Sequence, residues 1–380
     1  MTRASRRIGR AVARVEALGR AGADLPTYAD RLAHELRSLI PHAAACVVTL
    51  DPATGLLTGT YKSGGLADAH DEDDLWARLE YGSDDPSRMS MIARRPLPAM
   101  ACSHLPGGTT DSVRMRELVG PAGYGDELRM VARDAVHGWG GVNLFRADDE
   151  APFDEDDVQL LAAISRTVSD GLRAGLMVQA ADAGTPRSGG PIVLLVGKDD
   201  EPRQVSFGGD ELLREITDEV GRSPVESIVH GLVAATHRFT SGATSALPRI
   251  RLRSPAGRWL VAHGAPLAGG GSVDDVVIVI DEAHPPEIVS ILASTFGLTP
   301  REREVTELVL RGTDTKGIAS RLAMSAYTVQ DHLKSIFEKA GVRSRRELMA
   351  RVFFDQYVPR ITHGVTPTGW FRSAPEATQA

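Results

Sequence analysis

Apolar residues recur along this chain in two periods, and the switches between them mark its elements. In residues 5–20, Ile8, Val12, Val15 and Leu18 return every three or four positions among arginines, which predicts an amphipathic helix. A second helical stretch, 27–40, leads into AACVVTL at 44–50. After the turn-rich DPATG comes LLTGTYKS, and both runs read as strands because β-branched residues fill them and turn formers bound them. LWARLEY at 75–81 has helical spacing again. RMVARDAVHGWGGVNLFR, 129–146, reads as two strands about His137 and Gly138, and 154–177 as one long helix opened by acidic residues.

The small, polar stretch ADAGTPRSGG at 181–190 interrupts the pattern as a linker does. Beyond it, 191–199 reads as a strand, 224–239 as a helix, 250–267 as two strands about the turn SPAG, and 274–283 as a buried strand. Helical spacing then takes over. The expected organisation is an α+β unit at 1–180 with an N-terminal amphipathic helix, a linker at 181–190, a second α+β unit at 191–283, an all-α region at 284–357, and a tail at 358–380 that reads as disordered apart from any docking by Trp370 and Phe371. A length of 380 residues is more than one core supports, so several domains are required. The first helix has two open readings: it packs on the first unit, or it pairs with its own copy.

Composition narrows the classes. With 42% hydrophobic and 24% charged residues the chain is globular. It holds no run of about 20 uncharged apolar residues, and its start lacks a secretory apolar segment, so a cytoplasmic protein that does not span a membrane is expected. Cys46 and Cys102 match no zinc spacing and read as buried thiols, with a redox-sensing pair as the alternative. The absence of a G-x4-GK[ST] phosphate loop removes the large proteins that depend on ATP through such a loop. His137 beside Trp139 could serve as a haem ligand or a stacking floor, and HDEDD at 70–74 could hold a cation; a turn histidine and a solvated loop are the plainer readings, so neither becomes a site. No catalytic residue, metal or cofactor is expected. The net charge of −7 conceals an asymmetry: residues 296–356 carry eleven Lys and Arg against eight Asp and Glu, a local +3 that leaves −10 on the rest. An acidic body with a basic end suits a small module that binds phosphate at one place.

That basic end holds the most informative pattern. Thr299, Pro300 and Glu302 stand at capping-box spacing, Val305, Leu308 and Val309 form an apolar face, and Gly312 is a stop signal. Asp314 or Thr315 caps a second helix whose Ile318, Ala319 and Leu322 face inward. Met324 and Ser325 make a short turn, and Ser325 can cap a third helix from Ala326 to about Ala340. At 100° per residue, Val329, Leu333 and Ile336 make that helix's core seam, and Tyr327, Gln330, Asp331, Lys334 and Ser335 fall opposite. An amide and a cation there suit adenine and guanine edges in the major groove, while Asp331 suits cytosine. The candidate base readers are therefore Tyr327, Gln330, Asp331 and Lys334, and the candidate phosphate contacts Lys316, Ser325, Thr328, Arg343, Ser344 and Arg345.

The runs LTPREREV, TKGIASRLAMSAYTV and HLKSIFEKAGVRSRREL resemble the LuxR-type helix-turn-helix over about 60 residues. The resemblance implies a four-helix domain, with 346–353 as the fourth helix, and dimeric binding to inverted half-sites of double-stranded DNA. Gln330 and Asp331 depart from the basic residue many members carry. The first unit resembles a GAF-type sensor and the second a reduced PAS-type domain, in element order more than in fixed residues. Such folds imply a pocket between sheet and helices. The function expected is a homodimeric, sequence-specific transcriptional regulator responding to a small-molecule or redox signal. Two alternatives remain: a GAF-domain redox protein using Cys46 and Cys102, with methionine-sulfoxide reduction as the nearest model, and a module that binds protein instead of DNA.

Overall fold

The computed structural model describes residues 3–67, 69, 72–178, 191–197, 200, 202–206, 225–254, 259–267, 275–283, 287, 288, 291 and 295–354. The expected linker at 181–190 and tail at 358–380, with Trp370 and Phe371, lie outside them, as does most of the SPAG turn. The chain forms two compact units, one holding two antiparallel sheets and the other the C-terminal helices.

The first sheet consists of β1 (Ala44–Leu50), β2 (Leu57–Gly64), β3 (Ala99–Ala101), β4 (Tyr124–Arg133) and β5 (Gly138–Ala147), in the order β2-β1-β5-β4-β3. Side chains alternate between its faces, so one register row can be followed across it. Tyr61, Val47, Val142 and Met130 lie side by side and pack with Leu32, Leu36, Leu161, Val168 and Leu172. These come from α2 (Leu25–Leu39), α5 (Glu155–Ala163) and α6 (Ser165–Met177). The neighbouring row, Lys62, Cys46, Asn143, Arg129 and Met100, faces the other way. β1 is buried at every position because both faces are covered, which is why its sequence is a continuous apolar run rather than an alternating one.

α1 (Arg3–Arg20) lies on the first face, with Ala11 and Val15 fully buried and Ile8, Val12 and Leu18 packed on the same core. Its apolar stripe is thus used within the chain, as the packed-helix reading requires. Gly171 of α6 leaves room for Tyr28 of α2, since a Cβ there would stand 2.1 Å from the Tyr28 hydroxyl.

Three expectations need correction. The stretch 154–177 is two helices, not one. The Ser165 hydroxyl donates to the Val131 carbonyl at 2.7 Å and accepts from the Arg133 N–H at 3.3 Å, continuing the ladder of β4 where the short β3 has ended. Satisfying those backbone groups turns the chain at Ile164. Residues 82–123, for which no period gave an element, hold α4 (Met89–Ile92), β3 and several short turns. In the HDEDD segment, Asp73 is no solvated loop residue: it is buried, opens α3 (Asp73–Tyr81) and pairs with the largely covered Lys62 at 2.5 Å. His70 and Asp71 lie outside the described residues. His137 and Trp139 are tied to the turn between β4 and β5, the His137 N–H and the indole N–H both donating to Asp134, at 2.8 and 3.0 Å.

The second sheet consists of β6 (Ile192–Val196), β7 (Pro202–Val205), β8 (Arg249–Arg253), β9 (Trp259–Pro266) and β10 (Val276–Glu282), in the order β7-β6-β10-β9-β8. This is the path of the first sheet repeated. β7 was not anticipated; Pro202 opens it, and as an edge strand it tolerates proline. Burial alternates in β6 and β10, so one face is covered, by Ile228, Val229, Leu232 and Val233 of α7 (Val225–Thr240). The sheets are joined by Asp51, which accepts from the Arg251 backbone at 2.8 Å and from its guanidinium at 2.9 and 2.6 Å.

The fully buried Arg129 organises the polar side of the first sheet. It donates to Glu80 at 2.8 Å, to the Ser87 carbonyl at 2.7 Å and to the Asn143 side-chain oxygen at 3.1 Å. Arg114 grips Glu127 with two hydrogen bonds, at 2.8 and 3.1 Å. Removing one ion from such a network strands its partners. Arg129→Met is expected to destabilise the first sheet by about 3–5 kcal/mol in urea unfolding; a loss below about 1 kcal/mol would show that the network contributes little.

Candidate nucleic-acid interface

Among the described residues from 296 on, the C-terminal unit holds the capped helices α8 (Pro300–Leu310), α9 (Thr315–Arg321), α10 (Ala326–Ala340) and α11 (Arg345–Met349), the last running into a π-turn at Ala350–Phe354. Thr299 forms the full capping box with Glu302, and Ser325 accepts from the Thr328 N–H at 3.0 Å, as their spacing predicts. Of the two candidates for the second cap, Asp314 serves, accepting from the Gly317 N–H at 2.8 Å. Gly341 closes α10 in the left-handed region, at φ 64°. Between α9 and α10 the chain turns through Ala323, also left-handed at φ 50°. Val305, Leu308, Val309, Ile318, Val329, Leu333 and Ile336 are buried, whereas Ala319 and Leu322 are half-buried.

Glu302 does more than cap its own helix. Its carboxylate accepts from the Thr299 N–H at 2.7 Å, the Ser335 hydroxyl at 2.6 Å and the Lys339 ammonium at 2.9 and 2.7 Å, so it fixes α10 against α8. Burial alone would raise this carboxyl, but the bonds from Lys339, Ser335 and Thr299 outweigh it and hold Glu302 at about 2, against an ordinary 4.5. Ser335, expected on the free face, is therefore corrected to the scaffold side. It lies about 120° around the helix from Val329, on the flank that meets α8.

Tyr327, Gln330, Asp331 and Lys334 remain together on the outer face of α10. All four are exposed, Tyr327 at 78%, and their side chains have no partner among the described residues. The candidate phosphate contacts divide. Lys316 and Arg343 are exposed, and their side chains have no partner among the described residues. The Ser325 and Thr328 hydroxyls bond each other at 2.8 Å at the exposed start of α10. Ser344 is committed to capping α11, accepting from the Glu347 N–H at 3.1 Å. Arg345 is half-buried and donates to the Thr313 carbonyl at 2.5 Å, bracing α11 on the loop before α9. These last two hold the unit together from within.

The two cysteines are both buried and free. Burial pushes the Cys46 thiol up to about 11 and the Cys102 thiol upward as well, which disfavours the thiolate that redox chemistry uses. Cys46 lies on β1 and Cys102 just past β3, three strand spacings away, about 14 Å. A disulfide needs Cα atoms within about 7 Å, so the two cannot pair in this sheet.

Residues 297–352 match the family described as bacterial regulatory proteins, luxR family. Spore germination protein GerE of Bacillus subtilis is 42% identical over 55 residues, which are 14% of this chain and 74% of that protein. The chain belongs to the luxR family. This luxR-family chain is also 41% identical over 69 residues to transcriptional regulatory protein DesR of B. subtilis, 18% of this chain and 35% of that one. A putative HTH-type transcriptional regulator of Mycobacterium bovis is 48% identical over 52 residues, 14% of this chain and 6% of its own. The chain thus spans about a third or less of the length of these two relatives. Among solved structures, the A. aeolicus nlh2 GAF domain aligns with 45% of this chain and 98% of its own at 8% identity and a TM-score of 0.29. Vibrio cholerae VqmA aligns with 45% of this chain and 85% of its own, at 17% identity and a TM-score of 0.20. Scores this low do not establish a shared fold.

Because the Glu302 carboxyl is held below its ordinary value, the stability it contributes is complete above about pH 4.5 and is lost as the pH falls toward 2. Glu302→Gln keeps the cap but loses the charge. The variant is expected to lie on the order of 2 kcal/mol below the wild type at pH 7, Lys339 being partly screened by solvent, with the gap closing as the pH falls from 4.5. Melting curves of the two proteins between pH 7 and pH 3 check this, and a gap independent of pH would contradict it.

Proposed function

We propose that this chain is a sequence-specific DNA-binding transcription regulator in which α10 enters the major groove. The observation that carries the reading is the outer face of α10: four exposed side chains with hydrogen-bonding groups and no partner among the described residues, on a helix locked from behind by Glu302 and a buried apolar seam. A helix held that firmly presents its free face in one orientation, as base reading requires. Gln330 suits adenine and Lys334 guanine, Asp331 selects for cytosine, and Tyr327 offers ring and hydroxyl at the helix start. Lys316 and Arg343 are the phosphate contacts best supported by exposure. Ser325 and Thr328 add hydroxyls at the positive end of α10, where an anion is favoured. Ser344 and Arg345 act as supports for α11, the fourth helix of the unit.

The two sheet units read as input domains, the first GAF-like and the second a reduced PAS-like one. Their common strand order and helix-covered faces support this. The regulator acts as a homodimer on inverted half-sites about one helical turn apart, in the cytoplasm, and an input that changes how two copies are arranged changes the fit to that spacing. The buried, high-pKa thiols favour a small-molecule input over a redox one.

The two kinds of contact separate experimentally. Lys316→Ala is expected to weaken binding to operator and random duplexes alike and to reduce the salt slope by about one. Gln330→Ala and Lys334→Ala are expected to cost about 1–3 kcal/mol at particular base pairs and little on random DNA. Titrations of each variant on a selected operator and a scrambled duplex at several salt concentrations measure both. Equal losses for all three variants on both duplexes would remove α10 as the reading helix.

A further inference from the structure

Over the polar row of the first sheet lies a cavity of about 260 Å³. Cys46 and Asn143 line it from the sheet, and Trp76, Leu118, Tyr124 and Phe145 are among the residues around them. Two buried donors on its lining have no acceptor among the described residues. The Asn143 amide oxygen is held by the Arg129 Nε–H at 3.1 Å, which orients the amide and leaves its NH2 without a partner. Arg114, whose Nε and Nη2 are bound to Glu127, has Nη1 likewise unpartnered. Asn143 is fully buried and Arg114 is 2% exposed, so an unmade hydrogen bond at either is costly.

The charge around the cavity is already balanced. Arg114 is paired with Glu127 and Lys62 with Asp73, and Glu72 stands exposed at the rim. A carboxylate or phosphate entering here would add a buried negative charge with no unpaired cation among the described lining residues to meet it, close to three carboxylates. An uncharged molecule with two acceptors would satisfy both orphan donors at no such cost. At the volume water occupies in the liquid, 260 Å³ holds about nine waters, which corresponds to a ring compound of on the order of ten non-hydrogen atoms.

We propose that this cavity binds an uncharged, mostly apolar ring metabolite bearing two hydrogen-bond acceptors, which it receives on the Asn143 amide and the Arg114 guanidinium against the Trp76, Tyr124 and Phe145 rings. This deepens the input half of the function proposed above. Binding is measured without DNA, so its failure and the failure of the DNA reading are separate results.

The full chain is titrated by calorimetry and saturation-transfer NMR with coumarin, phthalimide and quinoxaline as uncharged two-acceptor rings, naphthalene as a ring without acceptors, and 2-naphthoate as an anion. At least one of the first three is expected to bind about tenfold or more tighter than naphthalene, and 2-naphthoate to bind more weakly than that probe. Asn143→Leu is expected to erase the preference over naphthalene. Because that change also disturbs Arg129, Leu118→Trp, which fills the cavity and leaves the polar groups in place, provides a second variant; it is expected to melt as the wild type does and to bind none of the probes. A wild type that binds naphthalene as well as every two-acceptor probe, one that binds 2-naphthoate most tightly, or probe binding that survives Leu118→Trp would each overturn the proposal.

Discussion

One carboxylate decides what the C-terminal unit can present to a partner. Glu302 accepts from its own helix cap and from Ser335 and Lys339 of α10, and those bonds determine which side of α10 faces inward. The apolar seam of Val329, Leu333 and Ile336 pulls the helix onto the core, but a hydrophobic contact tolerates rotation, and hydrogen bonds do not. With Ser335 and Lys339 committed, the polar residues left over form a contiguous outward face. The chemistry of that face is therefore set from behind.

The first sheet follows the same logic on a larger scale. Period-two alternation places an aliphatic row against α1, α2, α5 and α6 and a polar row, Lys62, Cys46, Asn143 and Arg129, on the opposite side. Charged groups under cover must be paired, and the pairing of Arg129 with Glu80 and of Arg114 with Glu127 brings α3 and the chain after β3 over that row. The covering segments leave a cavity because they are tied down by directional ion pairs at its edge rather than by packing across its centre.

Relatives of known description account for about a sixth of the chain, and the sheets have to be understood from their own geometry. Their shared strand order is informative there. In each, the first strand is flanked by the second and the fifth, so the central pair comes from opposite ends of the domain and the sheet closes only when the whole unit is present. Pairing strands so far apart in sequence gives the sheet long-range contacts throughout. Asp51 and Arg251 tie the two sheets at a buried point.

Where local chemistry and local period settle a structure, the sequence alone was sufficient. The Thr299 capping box, the Ser325 cap, the limits of α10, the seam at Val329, Leu333 and Ile336, and β1 all follow from side chains acting within a few residues of one another. The exposed quartet on α10 followed from helical geometry in the same way. Tertiary structure decided what depends on a partner distant in the chain. The break at Ile164 exists because Ser165 meets the backbone of β4, Ser335 turned inward because Glu302 lies 33 residues before it, and Arg345 was taken up by the Thr313 carbonyl. The cavity and its two orphan donors belong to that second group, since no spacing along a chain records which buried hydrogen bonds remain unmade.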